Sequence, residues 1–237
     1  MNHFFLLIFA FAPSTIWLLY FLRKDVHPES NRMILRIFFY GMLIAFPAAF
    51  LELLFFEITK ALNFSLATRL ILNFFIGVAL VEEGLKYLVV KKRVLNDPEF
   101  DEPVDAMLYM IITALGFAAA ENLLILFSPQ VFFQSLSEIL GITVFRFIGA
   151  TFLHALCSST WGYFLVLSFY RIEDKLKYTV VGLCVAVFLH GLYNFSIIAI
   201  EGGLKFILPL IILISLALFV FFGFKKVRKM KGVCEIK

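Results

Sequence analysis

Charge is scarce in this chain: Asp, Glu, Lys and Arg make up 16% of the 237 residues, against 62% for the apolar types. A mean hydropathy of +0.96 excludes an ordinary soluble globule. Cysteine is scarcer still, with three in all. Cys157 and Cys184 fall inside apolar runs and Cys234 in the basic tail, which excludes an extracellular disulfide framework and a cysteine-built metal site. The sequence also lacks a low-complexity linker, a long polar stretch and any His-Glu-x-x-His pattern. No Lys or Arg precedes the first apolar run, which is longer than the core of a signal peptide, so it reads as a retained helix.

What remains is long apolar runs, 31 phenylalanines among them. A bilayer core needs about 20 such residues per helix. Seven spans are expected, near 3–22, 33–56, 67–90, 104–127, 141–170, 177–200 and 204–224, the fifth beginning with an interfacial segment near Val131–Leu140. The fold class is therefore all-α, a polytopic transmembrane bundle forming one domain over 1–237 in the cell membrane. Of the 21 Lys and Arg, 16 fall on one side of these spans and 3 on the other. The positive-inside rule then puts the N-terminus outside and the C-terminus in the cytoplasm. The net charge of +4 describes a skirt facing anionic lipid, and no nucleic-acid surface is expected.

The longest polar stretch, 91–105, reads KKRVLNDPEFDEPVD. Asn96-Asp97-Pro98 predicts a turn, and Glu102-Pro103 opens a helix with Asp105 in its first turn. A solvated loop and a helix cap explain most of this run; Asp105 is retained as a supporting site residue.

Polar groups inside the spans need a stronger reason, because each costs several kcal/mol in lipid. Glu82, Glu83 and Lys86 lie in the third span. Glu82 and Lys86 share a helical face, while Glu83 points about 100° away. A structural ion pair accounts for the lysine and one glutamate. It leaves the second carboxylate unpaired, and such a group is suited to general-base chemistry. His154 and His190 lie in consecutive spans within an echoed pentapeptide, FLHAL and FLHGL. A lone histidine in an apolar helix is as often a packing residue as a functional one; two near mid-membrane favour function. Asn194, one turn beyond His190, can donate an amide N–H to an oxyanion. Counted along straight helices from the cytoplasmic ends, Glu83 lies roughly 11 Å deep, His190 roughly 20 Å, His154 roughly 24 Å and Glu121 roughly 27 Å. That depth sets Glu121 apart from the others. Glu121 and Asn122 follow a run of small residues suited to close helix contact, with Arg146 as a candidate counter-ion. Glu52 and Glu57 are expected among headgroups and water at the outer edge of the second span.

Taken in order, Glu82-Glu83-x-x-Lys86, the 101–105 stretch DEPVD, Gly116-Phe117-x-x-x-Glu121-Asn122, His154 and His190-Gly-x-x-Asn194 resemble the motif series of the PrsW family. These are membrane proteases similar to the CAAX prenyl endopeptidases and their bacterial relatives, and the resemblance covers about 35–200. It implies a glutamate-dependent intramembrane endopeptidase with no cofactor. Glu82 would be the base, and His190 with Asn194 the oxyanion hole. The CAAX pattern has a histidine four residues after the phenylalanine, where this chain has Glu121. The partner in water activation is then Glu121 or His154; the reading leans to His154, with Glu121, Glu83, Lys86 and Asn122 around it. The implied substrate is a single-pass membrane protein cut at a first site, of the anti-sigma-factor kind.

Three other readings compete. His154, His190 and a glutamate would also make a zinc site, giving a metalloprotease. A non-catalytic scaffold would use the same groups for assembly, against which the intact glutamate pair speaks. A proton-coupled transporter lacks its usual paired broken helices.

Overall fold

The computed structural model describes residues 3–24 and 27–230, so Cys234 lies outside the described residues. The chain forms α1 (His3–Leu22), α2 (Asn31–Ala61), α3 (Leu66–Leu72), a π-helical segment (Asn73–Leu80), α4 (Val81–Arg93), α5 (Pro103–Leu126), α6 (Pro129–Phe132), α7 (Leu136–Ile148), α8 (Ala150–Tyr170), α9 (Lys175–Ala199) and α10 (Leu204–Val227). Starts follow capping chemistry. Ser30 Oγ accepts from the Met33 N–H at 3.1 Å to open α2. Asp105 accepts from the backbone N–H groups of Glu102 and Asp101 at 2.7 and 3.0 Å, which closes the cap of α5. Lys91, Lys92 and Arg93 end α4, where the helix dipole favours cations.

Among the described residues, six helical stretches are long and apolar enough to cross a membrane. The expected span at 67–90 exists as an unbroken succession of α3, the π segment and α4, and stands apart from those six because it is divided and charged. The expected span at 141–170 is divided too. Gly149, at φ −93° and ψ −94°, separates α7 from α8, and α7 begins at Leu136 behind a capping box made by Ser135 and Glu138. A Cβ on Gly149 would fall 2.3 Å from the Tyr193 hydroxyl, so the break is where α9 comes in closest. Trp17 Nε1 donates to the Phe147 carbonyl at 2.9 Å, satisfying an acceptor beside the break.

Helix α5 is the axis of the bundle, buried over most of its length and packed against α1, α2 and α8. Its crossing with α2 is backbone against backbone. A Cβ on Gly116 would lie 2.0 Å from the Phe38 carbonyl oxygen, and one on Gly41 would lie 2.2 Å from that of Thr113. Facing outward, α2 and α10 present exposed Phe46, Phe50, Leu53, Leu210, Ile214 and Phe221. An apolar belt of that extent, on helices long enough to cross a bilayer, suits lipid. The protein is a multi-pass membrane protein.

Candidate active site

The first turn of α4 follows directly on the π segment and carries Glu82, Glu83 and, one turn on, Lys86, all buried. Wide turns of this kind are frequent at functional sites. Thr59 Oγ1 of α2 donates to Asn73 Oδ1 at 2.7 Å and pins the segment where it begins. Lys86 Nζ then donates to Glu82 Oε2 at 3.1 Å, to Glu83 Oε1 at 2.8 Å and to His154 Nδ1 at 2.9 Å. It also lies 4.4 Å from the centre of the Phe117 ring. One ammonium thus bonds two carboxylates and an imidazole.

The two glutamates are not equivalent. Glu83 has both oxygens engaged: Oε1 accepts from Lys86 and from His190 Nδ1 at 3.0 Å, and Oε2 accepts from Ser158 Oγ at 2.7 Å. The expectation that the second carboxylate stands unpaired is corrected here, because the long lysine arm reaches both i−3 and i−4 on its own helix. Glu82 is bonded through Oε2 alone, and that oxygen lies 3.5 Å from His154 Nδ1 and 3.9 Å from His190 Nε2. Its other oxygen accepts no hydrogen bond among the described residues.

Because the ammonium donates to His154 Nδ1, the ring carries its proton on Nε2, which donates to Glu121 Oε2 at 2.9 Å. Glu121 in turn accepts from Arg146 Nη2 of α7 at 2.8 Å, as expected of that counter-ion. Asn122 belongs to the same joint: its Oδ1 accepts from Arg146 Nε, and its Nδ2 donates to the Ala10 carbonyl at 3.2 Å. Lys86, His154, Glu121 and Arg146 therefore form one chain of hydrogen bonds across α4, α8, α5 and α7.

On α9, the bond from Nδ1 to Glu83 turns Nε2 of His190 toward Glu82. Asn194 is half-buried one turn on, and its amide makes no side-chain hydrogen bond among the described residues.

Glu82, Glu83, Lys86, Glu121, His154 and His190 thus converge. The depth argument against Glu121 is overturned by the direction of helical side chains, which lean toward their own N-termini. Helices α4 and α5, joined by a short loop, run in opposite directions, so Lys86 and Glu121 lean toward one another across His154. Asp105 does not join the site; its carboxylate caps the opposite end of α5, 16 residues or roughly 24 Å from Glu121. Ser158 was legible only as a polar residue one turn from His154. Glu52 was read as a headgroup residue, yet it is half-buried within the bundle. The signal was its place on the stripe Gly41, Ala45, Ala48, Glu52 that α2 turns toward α5.

Glu82, Glu83, His154 and His190 offer one ligand atom each within 4.8 Å of one another, a buried group able to bind a metal ion. Two carboxylates and two imidazoles are donors that zinc accepts. Three of the four donors already receive a hydrogen bond from Lys86.

The family described as "PrsW family intramembrane metalloprotease" matches residues 29–223. Protease PrsW of Geobacillus kaustophilus (strain HTA426) is 30% identical over 191 residues, 80% of this chain and 78% of its own length. Protease PrsW of Bacillus subtilis (strain 168) is 27% identical over 94% of each chain. Protease PrsW of Clostridioides difficile (strain 630) is 28% identical over 89% of this chain and 86% of its own. No solved structure gives a match. A match that runs from α2 into α10, through every helix that contributes to the cluster, makes this chain a member of the PrsW family of intramembrane proteases.

Proposed function

We propose that the protein is a glutamate-dependent intramembrane endopeptidase in which Glu82 is the general base. The observation that carries this reading is the asymmetry of the pair: Glu83 is bonded through both oxygens, and Glu82 keeps one unbonded. Glu82 takes a proton from water as the water oxygen attacks the scissile carbonyl carbon. The carbonyl oxygen becomes an oxyanion, which accepts from the Asn194 amide. With both ring nitrogens protonated, His190 keeps Glu83 through Nδ1 and offers Nε2–H to the same oxyanion. Collapse breaks the C–N bond, and the amine leaves with the proton held by Glu82. His154 has both nitrogens engaged, so in this reading it positions Lys86 and Glu121 and does not itself move the proton. Asn194→Ala is expected to lower kcat by roughly 10²–10³ with little change in KM, measured on a quenched single-pass peptide in detergent. An unchanged kcat would remove Asn194 from the oxyanion hole.

The substrate in this reading is a single-pass membrane protein, cut at a first site, of the anti-sigma-factor kind that the motif series implies. The distribution of Lys and Arg supports a cytoplasmic C-terminus.

A second reading is supported by the family's description and by the donor set. Glu82, His154 and His190 would hold a zinc ion, which when bound polarises water for attack. His154 would first give up a hydrogen bond, from Lys86 or to Glu121, whereas Glu82 has its unbonded oxygen to offer. Exhaustive chelation with metal analysis separates the two. Cleavage is expected to survive chelation, without stoichiometric zinc in the protein. Loss of cleavage on chelation, restored by zinc, would replace the glutamate reading with the metal one.

A further inference from the structure

A groove of about 580 Å³ runs between α1, α8 and α10, away from the glutamate–histidine cluster and within the size range of about 300–1,000 Å³ usual for ligand sites. Its walls are apolar and partly aromatic. Trp17 stacks on Phe152 with ring centres 4.0 Å apart, and Leu156, Ala217 and Phe224 continue the surface. Its rim is cationic: Lys24, Lys225, Arg228 and Lys229 line one end, where α1 and α10 terminate. Among the described residues, none of the four is ion-paired and no Asp or Glu lines the groove. Lys24 lies 4.6 Å from the centre of the Tyr20 ring, its stem along the wall and its ammonium at the rim.

We propose that this groove binds one anionic glycerophospholipid, its phosphate among the four cations and an acyl chain against Trp17, Phe152 and Ala217. Charge complementarity fixes the head: four cations with no ion pair among the described residues stand at one end, at the level where a headgroup lies, and call for an anion. The apolar trough fixes the tail, since a free phosphate has no use for it. Phe152 and Leu156 stand two residues either side of His154, on the face of α8 turned away from the cluster. The lipid would therefore back the helix that carries the site.

The test uses the full chain purified in mild detergent, with native mass spectrometry against phosphatidylglycerol and phosphatidylcholine of identical acyl chains. One phosphatidylglycerol per protein should survive conditions that strip phosphatidylcholine, with a preference on the order of ten-fold or more. Lys225→Gln/Arg228→Gln/Lys229→Gln should lose that preference. Lys91→Gln/Lys92→Gln/Arg93→Gln, with equal charge removed from the end of α4, should keep it. Ala217→Trp, which fills the trough and leaves every cation in place, should also release the lipid, and it decides the matter if the charge variant fails to fold. Equal retention of both lipids, equal loss in the α4 control, full retention in Ala217→Trp, or displacement by inorganic phosphate alone would each overturn the proposal.

Discussion

Glu82→Gln is expected to fold as the parent protein does and to cleave a single-pass substrate roughly 10²–10⁴-fold more slowly. The amide keeps the size of the side chain and can still accept from Lys86 Nζ, now 3.1 Å from Oε2, so the packing around it has little reason to change. What disappears is the proton acceptor. Glu83→Gln should behave differently, because Lys86, His190 and Ser158 all donate to that carboxylate. An amide nitrogen there faces donors with a donor, so the thermal transition should fall along with activity. Both variants need cleavage and thermal stability measured on the same preparations. If both cleave at the parental rate, the cluster is structural and the scaffold reading takes over.

Lys86→Met is the second large effect, and it acts first on stability. The ammonium is wholly buried and is the shared donor to Glu82, Glu83 and His154. Methionine fills much of the same volume and leaves two carboxylates adjacent with no cation between them. Removing one partner of a buried ion pair costs about 3–5 kcal/mol, and here it strands two acids. The expected outcome is a clearly lowered thermal transition together with loss of cleavage. A second substitution, Glu83→Gln in the Lys86→Met background, should recover part of the stability by removing one stranded charge. Normal stability of Lys86→Met alone would mean that the ammonium holds nothing in place.

Most of the architecture was legible because lipid imposes a length on each span, and the seven apolar runs follow that length. The two interruptions were not. No residue type announces a π-helical turn, and Asn73–Leu80 keeps the apolar character of its neighbours. Gly149 is one of 13 glycines, and what singles it out is the approach of Tyr193, a residue far from it in the sequence. The members of the site were legible because each is costly in lipid and so demands a reason. Their roles were less so. Which glutamate is free depends on a serine from α8 and a histidine from α9, and helical spacing along α4 carries no trace of either. Glu121 was placed too far away because a straight ruler ignores how far long side chains lean.

The position of Lys86 also bears on how the chain is made. Synthesis runs from the N-terminus, so α4 emerges before α8 and α9, which supply His154, Ser158 and His190. For that interval the nascent segment has none of its eventual neighbours from those helices. It does have Lys86, three and four residues from its two acids and bonded to both within a single helix. The residue that later organises the glutamate–histidine cluster is thus the one that travels with the acids, leaving the newborn segment with one uncompensated charge where it would otherwise carry two into the bilayer.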